Sequence, residues 1–361
     1  MAEGNNLVGV DIGSSSIKVC QVKETRKGRS LHKLAFAPLP PQTIVDGHIM
    51  NAGVVTETLS RLFADNQIKQ RNVAISVSGQ SVIIRKITVP MMTPAELDEQ
   101  IQWEAEQHIP FDIKDVQIDY EVLKRQPERG QMDLLLVAAK RDEINDYAQF
   151  VREAKLKPIV VDIDAFTVQN LFEVSRGFPT DQTAALLNLG ASLSSLNIVT
   201  SGVSAFTRDI ASGGNVITEE IQRQTGVSFE QAEAYKCGES GEEGDGGPFR
   251  QAGMVPQQVH EIIEGVCDTI AAEIQRSLDF FMATSGENEI HRIFVTGGTA
   301  NLTTLRNAIQ RRAKTAVEFF NPVERLTIET RTVPEALLRE RHAQLAVSVG
   351  LSLRKDKEKR A

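Results

Sequence analysis

Near the N-terminus the chain reads Val8-Gly9-Val10-Asp11-Ile12-Gly13-Ser14-Ser15-Ser16-Ile17-Lys18. The apolar residues predict a strand over 7–12, the small residues 13–16 predict a turn, and a second strand follows over 17–22. A glycine-containing hairpin turn exposes consecutive backbone N–H groups in a concave nest, which is a natural anion site. The stretch therefore predicts a β-hairpin able to hold a phosphate group.

A second stretch repeats this pattern: Ala185-Leu186-Leu187-Asn188-Leu189-Gly190-Ala191-Ser192-Leu193-Ser194. In both stretches a short polar residue lies two positions before a glycine, and small or hydroxyl residues follow. A further glycine pair, Gly297-Gly298, follows an apolar run over 293–296. Either each is only a hairpin with a permissive turn, or two related halves grip a chain of phosphates across a cleft. In that cleft Asp11 would hold Mg²⁺ through waters, because this ion keeps part of its hydration shell.

Length and composition limit the classes of protein to consider. At 361 residues the chain is near the length at which a single hydrophobic core stops growing, so two or more packed units are expected. The formal charge of −8 argues against a general nucleic-acid binder, which needs a concentrated basic surface. The three cysteines, Cys20, Cys237 and Cys267, are far apart and lack CxxC spacing, so reduced thiols are expected.

No stretch approaches the roughly twenty apolar residues that a membrane-spanning helix needs. Residues 1–13 show no basic segment followed by an apolar one, so no signal peptide is expected. Residues 354–361 alternate charge without an apolar face, which argues against direct membrane insertion. These features predict a cytoplasmic location.

The predicted organisation is α/β throughout. Residues 30–37 complete a three-stranded meander, 52–66 form a helix, and 73–77 and 82–87 form buried strands. Thr93-Pro94-Ala95-Glu96 predicts a helix start with a capping box. The predicted domains are a first domain (1–89 and 160–183), an inserted subdomain (90–159), and a second domain (184–361) with a helical subdomain over 211–290. The glycine-rich, polar residues 238–247 predict a mobile loop.

Several stretches resemble the actin-like ATPase superfamily. Asp11–Lys18 resembles its first phosphate loop, 188–191 its second, and 295–302 its adenosine loop. Residues 213–218 with 232–236 are similar to the FtsA branch of that superfamily. In the insert, Glu104-Ala105-Glu106-Gln107-His108-Ile109-Pro110-Phe111-Asp112 with Asp119-Tyr120, and then 161–166, resembles the PilM family of type IV pilus assembly proteins. The resemblance covers residues 7–353.

The resemblance implies an actin-like fold of the ribonuclease-H type, with duplicated domains around a nucleotide cleft, and ATP with Mg²⁺ as cofactors. Asp11 would orient a magnesium-bound water, and Lys18 would meet a phosphate charge or be a solvated strand lysine. Glu233 would accept from the ribose while the Lys236 stem covers the base, or the two would form an i,i+3 ion pair. The remaining expected nucleotide contacts are backbone groups or small residues: Gly13, Ser14, Ser15, Ser16, Gly190, Ala191, Ser192, Gly214, Gly297, Gly298 and Thr299.

Asn188 departs from the pattern of hydrolysing relatives, which usually carry an aspartate here. An amide supplies no negative charge and is a weaker partner for the magnesium shell. Asp164, at the start of the connecting helix, could still orient a water as a catalytic residue, or it could cap the helix N-terminus. ATP binding with weak or no hydrolysis is therefore expected, with the nucleotide acting as a conformational switch.

The resemblance also implies a partner. In the PilM family a groove takes the cytoplasmic N-terminus of the inner-membrane protein PilN, which would bring the protein to the inner membrane and, indirectly, to PilO and the pilus motor and platform proteins. Here a groove beside residues 82–90 could take an extended peptide, with Trp103, Ile109, Pro110 and Phe111 as candidates for its lining or as core residues. The expected role is an ATP-binding scaffold in pilus biogenesis and twitching motility. The alternatives are an FtsA-like filament-forming protein and a small-molecule kinase of the same fold, for which no catalytic carboxylate could be placed.

Overall fold

The computed structural model describes residues 5–25, 28–45, 47–239, 255–286 and 289–357. Its strands are β1 Val8–Ile12, β2 Ser16–Thr25, β3 Gly28–Pro38, β4 Ile44–Val45, β5 His48–Ile49, β6 Asn72–Val77, β7 Val82–Pro90, β8 Val116–Gln126, β9 Gln131–Lys140, β10 Lys157–Ile163, β11 Thr183–Leu189, β12 Ser194–Thr200, β13 Val203–Ile210, β14 Arg292–Thr296, β15 Val317–Phe319 and β16 Thr327–Ile328. Its helices are α1 Ala52–Asp65, α2 Pro94–Glu106, α3 Arg141–Glu153, α4 Asp164–Arg176, α5 Gly214–Thr225, α6 Phe229–Glu239, α7 Gln257–Ser285, α8 Thr303–Ala313, α9 Glu335–Arg341 and α10 Ala346–Leu351. Short 3₁₀ turns are Ile113–Asp115, Pro127–Arg129, Gly298–Asn301 and His342–Leu345.

The first large sheet has the strand order β10-β6-β1-β2-β3-β16. β1, β2 and β3 form the predicted antiparallel meander, while β6 and β10 run parallel. α1 covers this sheet because its apolar side chains recur at helical spacing: Val55, Leu59, Leu62 and Phe63 are buried. The Asn51 side chain caps α1 by accepting from the Val54 N–H.

The second large sheet has the order β13-β12-β11-β14-β15, with α7 buried along one face. Its hairpin β11–β12 has the same pairing as β1–β2: Asn188 lies opposite Ser195 as Asp11 lies opposite Lys18. The predicted duplicated α/β architecture is confirmed by this repeat of sheet and hairpin.

The inserted segment forms a three-stranded sheet, β7-β9-β8, with α2 on it. α2 begins at the predicted capping box, in which the Thr93 hydroxyl accepts from the Glu96 N–H and the Glu96 carboxylate accepts from the Thr93 N–H. β7 pairs with β9 and not with the six-stranded sheet, so the small sheet begins at Val82, ahead of the boundary expected at residue 90. β10, by contrast, pairs with β6 from Lys157 onward.

The C-terminal part of the chain returns to the first sheet. β16 pairs with β3, and α10 packs on β1, where a Cβ at Gly9 would lie 2.0 Å from the Ser348 carbonyl oxygen. The last segments of the expected second domain (184–361), β16 and α10, thus pack on the sheet of the first domain. In 238–247, where a loop was expected, Gly238 and Glu239 end α6, and 240–247 lie outside the described residues.

Within the described ranges, no helix has the length and apolar character needed to cross a bilayer. Cys20 and Cys267 are buried, and Cys237 is partly exposed.

Candidate nucleotide site

A cavity of about 980 Å³ opens between the two large sheets. Residues of both glycine hairpins line it, so Gly13 and Gly190 face the same space. The candidate residues among its lining are Asp11, Gly13, Ser14, Ser15, Ser16, Lys18, Asp164, Asn188, Gly190, Ala191, Ser192, Glu233, Lys236, Gly297, Gly298 and Thr299. The tertiary structure therefore brings together residues that are far apart in the chain.

The first hairpin carries a buried ion pair. Its turn closes by a hydrogen bond from the Gly13 N–H to the Ser16 carbonyl oxygen, at 3.1 Å. Lys18 Nζ lies 3.2 Å from Asp11 Oδ2, and only about a tenth of either side chain is exposed (11% and 12%). Burial raises the pKa of Asp11, and the neighbouring ammonium opposes that rise. Lys18 is therefore a buried lysine paired with Asp11 beside the first turn, and the solvated-lysine interpretation is wrong.

The second hairpin has the same turn without charge. The Gly190 N–H donates to the Leu193 carbonyl oxygen at 3.0 Å, matching the first turn. A Cβ on Gly190 would lie 2.6 Å from that carbonyl oxygen, so the turn itself requires glycine. Gly297 has a φ of +93°, and a Cβ there would lie 2.3 Å from the Leu189 carbonyl oxygen. The adenosine-loop glycine thus packs its backbone directly on the second hairpin.

Asp164 does not cap its helix. The N-cap of α4 is Ile163, no side chain caps this end, and Asp164 is the first helical residue. The N-cap interpretation is therefore wrong, because the side chain turns to the cleft and accepts hydrogen bonds from the Ser76 and Ser78 hydroxyls. Burial, and then the charge of Asp11, raises the pKa of Asp164 to about 7, despite these hydrogen bonds. This carboxyl can exchange a proton near neutral pH.

Glu233 and Lys236 form the i,i+3 ion pair that was one of their two expected roles. Their ion pair forms at 2.5 Å, and both side chains line the cavity. Lys236 Nζ also donates to the Gly214 carbonyl oxygen at 3.1 Å and to Thr218 Oγ1 at 2.8 Å. Its ammonium is thus held by three protein oxygens. Gly214 packs behind the site, since a Cβ there would lie 2.6 Å from Thr299 Oγ1.

Arg341, at the end of α9, is a cleft residue that the sequence analysis missed. Its guanidinium carbon lies 4.7 Å from the ring centroid of Phe36, and both residues line the cavity. Phe36 is directly opposite Lys18 on β3, so this cation lies beside the first phosphate hairpin. Within the described ranges Arg341 has no acidic partner, and its Nε is buried without a hydrogen bond. No glycine or loop motif marked it in the sequence.

Asp209 on β13 is a second missed residue. Its Oδ2 accepts from the Gly79 N–H at 2.5 Å, across the boundary between the two halves. It also accepts from the Ser195 hydroxyl, and burial raises the pKa of its carboxyl. The sequence analysis did not predict β13, so nothing pointed to this carboxylate.

The four partner candidates lie apart from the cleft, in the inserted subdomain. Trp103 is 64% exposed on α2, Pro110 is exposed, and Ile109 is buried in the core of the insert. Phe111 is half-buried, with Lys140 Nζ 4.8 Å from its ring centroid. A groove of about 310 Å³ lies between α2 and β8, and the candidates are not among its lining: Asp98, Ile101, Gln102, Ile113, Lys114, Val116, Gln117, Ile118, Asp119, Tyr120 and Arg141.

The donor set of the cleft fits a magnesium ion that is bound mainly by phosphate and water. Among the described residues no cluster of three or more His, Cys, Asp or Glu side chains could hold a metal directly. Asp11 offers one carboxylate in the cavity beside the phosphate hairpin. Mg²⁺ with nucleotides commonly uses one or two carboxylates together with phosphate oxygens and waters.

Comparisons with known proteins agree with this geometry. A structure described as the PilM-PilN type IV pilus biogenesis complex matches with a TM-score of 0.84 and 26% identity, covering 98% of this chain and 99% of the other. EutJ, an ethanolamine utilization protein from Carboxydothermus hydrogenoformans, matches with a TM-score of 0.55 and 13% identity over 96% and 89% of the two chains. MreB5 of Spiroplasma citri bound to AMPPNP matches with a TM-score of 0.51 and 11% identity, covering 96% of this chain and 95% of the other. The last two likenesses concern the fold alone, which is actin-like.

A family model described as type IV pilus assembly protein PilM matches residues 9–356. This span contains both phosphate hairpins, the insert and the returning C-terminal helix. The chain belongs to the PilM family of type IV pilus assembly proteins.

Proposed function

We propose that this protein is an ATP-binding scaffold of the type IV pilus machine, which binds Mg-ATP in the cleft and docks the cytoplasmic N-terminus of a PilN-like inner-membrane protein. The observation that carries the nucleotide part is the pair of matched hairpins lining one cavity. MreB5, which shares the fold, is described as bound to AMPPNP, and this adds support.

Each half contributes differently to phosphate binding. The N–H groups of Gly13 to Ser16 and of Gly190 to Ser192 would donate to phosphate oxygens from opposite sides. Lys18 would add a charge-assisted hydrogen bond on the first side. When bound, Mg²⁺ neutralises phosphate charge, and Asp11 would orient one of its waters. Gly297, Gly298 and Thr299 would approach the adenosine, with Glu233 at the ribose.

Hydrolysis in this site is weak or absent. Asn188 supplies no negative charge at the second hairpin, where a carboxylate would help to hold the metal and its water. We expect Asn188→Asp to raise the ATP turnover rate about tenfold, by adding a partner for the magnesium shell. Phosphate release under saturating Mg-ATP measures this, with Asn188→Ala as the control that adds no charge. If Asn188→Asp leaves turnover unchanged, the explanation for slow hydrolysis is wrong.

The partner part of the proposal rests on the insert. The PilM-PilN complex is similar over almost the whole chain, so a PilN-like peptide is the first candidate partner. In the order β7-β9-β8, β8 lies at one edge of the small sheet, where an extended peptide can add main-chain hydrogen bonds. α2 beside it carries Glu96, Asp98, Glu99, Glu104 and Glu106 without a basic residue, which favours a peptide with basic side chains. Docking on such a partner would bring the protein to the cytoplasmic face of the inner membrane, and through it to PilO and the motor and platform proteins that drive pilus biogenesis and twitching motility.

The test is a titration with a synthetic peptide of the cytoplasmic N-terminus of the PilN protein from the same organism. We expect saturable heat and a change in Trp103 fluorescence. Trp103→Ala should weaken binding about tenfold, because aromatic side chains often carry interface affinity. Val174→Ala, which truncates an exposed apolar side chain on α4, is the matched control and should bind normally. Absence of saturable heat with the wild-type chain, with and without Mg-ATP, would overturn the docking proposal.

A further inference from the structure

One loop joins the nucleotide cleft to the inserted subdomain. This cleft loop, residues 76–79, consists of the last two residues of β6 and the two residues that follow, and it lines the cavity. The Ser76 and Ser78 hydroxyls donate to the Asp164 carboxyl at the start of α4. The first half of the molecule therefore holds one side of the loop.

The second half holds the other side of the loop through Asp209. Its carboxylate accepts from the Gly79 N–H at 2.5 Å and from the Ser195 hydroxyl. Ser195 is paired with both Asn188 and Asp209 in the sheet, so Asp209 moves with the second phosphate hairpin. Gly79 has a φ of +90°, and a Cβ there would contact Leu193 of that hairpin at 3.7 Å. A single carboxylate thus ties the loop to the opposite wall of the cleft.

At its far end the cleft loop is bonded to the insert. The Val82 N–H donates to the Gly79 carbonyl oxygen at 3.2 Å, and Val82 begins β7. The Lys140 N–H, where β9 ends, donates to the Ser81 carbonyl oxygen at 3.1 Å. The start of β7 and the end of β9 therefore lie next to this loop.

We propose that Asp209 is a positioning residue that couples the nucleotide in the cleft to peptide docking on the insert, acting through the Gly79 N–H and the cleft loop. This rests on the proposed function and specifies how its two sites communicate. A phosphate chain held by both hairpins fixes the distance between the halves, and Asp209 transmits that distance to Gly79. The loop then sets the position of β7, and with it the small sheet on which the peptide docks. Because coupling is reciprocal, the peptide shifts ATP affinity by the same factor.

The experiment compares peptide affinity with and without Mg-ATP, using the synthetic PilN peptide and the full chain. In the wild type we expect the two dissociation constants to differ by at least about fivefold. Asp209→Ala should bring this ratio to about one while the chain still binds each ligand. Asp209→Asn keeps an acceptor oxygen for the Gly79 N–H, so its ratio of dissociation constants should lie between one and the wild-type value. Asp181→Ala, at an exposed position just before β11 and outside the cleft, is the matched control.

Amide hydrogen exchange at Gly79 tests the contact without any partner. We expect a protected amide in the wild type and Asp181→Ala, and faster exchange in Asp209→Ala. The inference is overturned if Asp209→Ala keeps the wild-type ratio, or if the wild type binds the peptide with no nucleotide effect. By contrast, a wild type that binds no peptide at all defeats the proposed function itself, and the coupling with it. The two failures are therefore distinguishable.

Discussion

The two halves place three residues in a row across equivalent strands, and the rows differ in charge. In the first half the row is Asp11, Lys18 and Phe36, across β1, β2 and β3. In the second half it is Asn188, Ser195 and Asp209, across β11, β12 and β13. One backbone pattern thus carries an ion pair beside one phosphate hairpin and a neutral pair beside the other.

This difference in charge gives the two hairpins different surroundings. The first half keeps a charged pair, Asp11 and Lys18, in the lining of the cavity. The second half offers the cavity mainly backbone N–H groups, and its acidic residue has moved to the third strand, where it holds Gly79 of the first half. The same hairpin thus carries an ion pair in one half, and in the other half it lies beside a strand whose carboxylate connects the two halves.

The largest expected effect concerns the buried carboxyl of Asp164, which lies near one carboxylate of each row, Asp11 and Asp209. The pKa of Asp164 is raised to about 7 from 3.8, so the folded state keeps this proton while the unfolded state loses it. The free energy of unfolding should therefore fall as pH rises from about 4 to 7, by about 4 kcal/mol from this group. In Asp164→Asn this contribution disappears. Urea unfolding of both proteins between pH 4 and 8 measures the difference, and parallel pH profiles would contradict a raised pKa.

The next effect tests whether charge beside the cavity belongs to the first half. Asp11→Ala should weaken Mg-ATP binding about 10- to 100-fold, because the metal loses its carboxylate and Lys18 loses its partner. Asn188→Ala, the same truncation in the second row, should weaken Mg-ATP binding only about threefold. Calorimetric titration with and without Mg²⁺ measures both. Full ATP affinity in Asp11→Ala would remove the metal role of that residue.

A third test compares the two turns. A Cβ on Gly190 would lie 2.6 Å from a backbone oxygen, whereas one on Gly13 would lie 2.7 Å from the Lys18 ammonium, the end of a flexible side chain. Gly190→Ala should therefore weaken ATP binding about tenfold, since a backbone clash of about 1–3 kcal/mol must distort the loop. Gly13→Ala should be milder. If Gly13→Ala and Gly190→Ala lose the same ATP affinity, the two turns tolerate a Cβ equally and the expected difference is wrong.

The smallest effect concerns Arg341, which stacks on Phe36 at the end of the first row. Arg341→Ala should weaken ATP binding about three- to fivefold, because this cation lacks a described acidic partner and is available to an anionic ligand. Phe36→Leu is the control, since it removes the ring and leaves the guanidinium. Unchanged affinity in Arg341→Ala would show that the residue does not contact the nucleotide.

Much of the cleft could be predicted because its parts are local in sequence. The hairpin at 8–18, its repeat at 185–194 and the glycine pair at 297–298 are each readable within about ten residues. The capping box at Thr93 was equally local, and its helix starts where expected. The roles given to the individual site residues, and to Trp103, Ile109, Pro110 and Phe111, stay predictions.

The missed features all depend on long-range pairing. Arg341 reaches the cleft only because β16 returns to β3, and Asp209 meets a Gly79 that is 130 residues away in the sequence. β7 reads as a strand in the sequence, yet only its pairing with β9 assigns it to the insert. Asp164 looks like a helix cap in the sequence, but in the fold its carboxylate accepts hydrogen bonds from the hydroxyls of Ser76, in β6, and Ser78, just after it.

The amino-acid sequence by itself determined two glycine hairpins, one charged and one neutral, and the start of an inserted subdomain, because turn geometry and strand periodicity depend on neighbours along the chain. Only the tertiary structure decided that the two hairpins face one cavity, that a carboxylate of one half holds a loop of the other, and that an arginine near the C-terminus lines the same cavity. Such contacts depend on how sheets pack and where strands cross, and no local pattern encodes the distance between residues that the fold brings together.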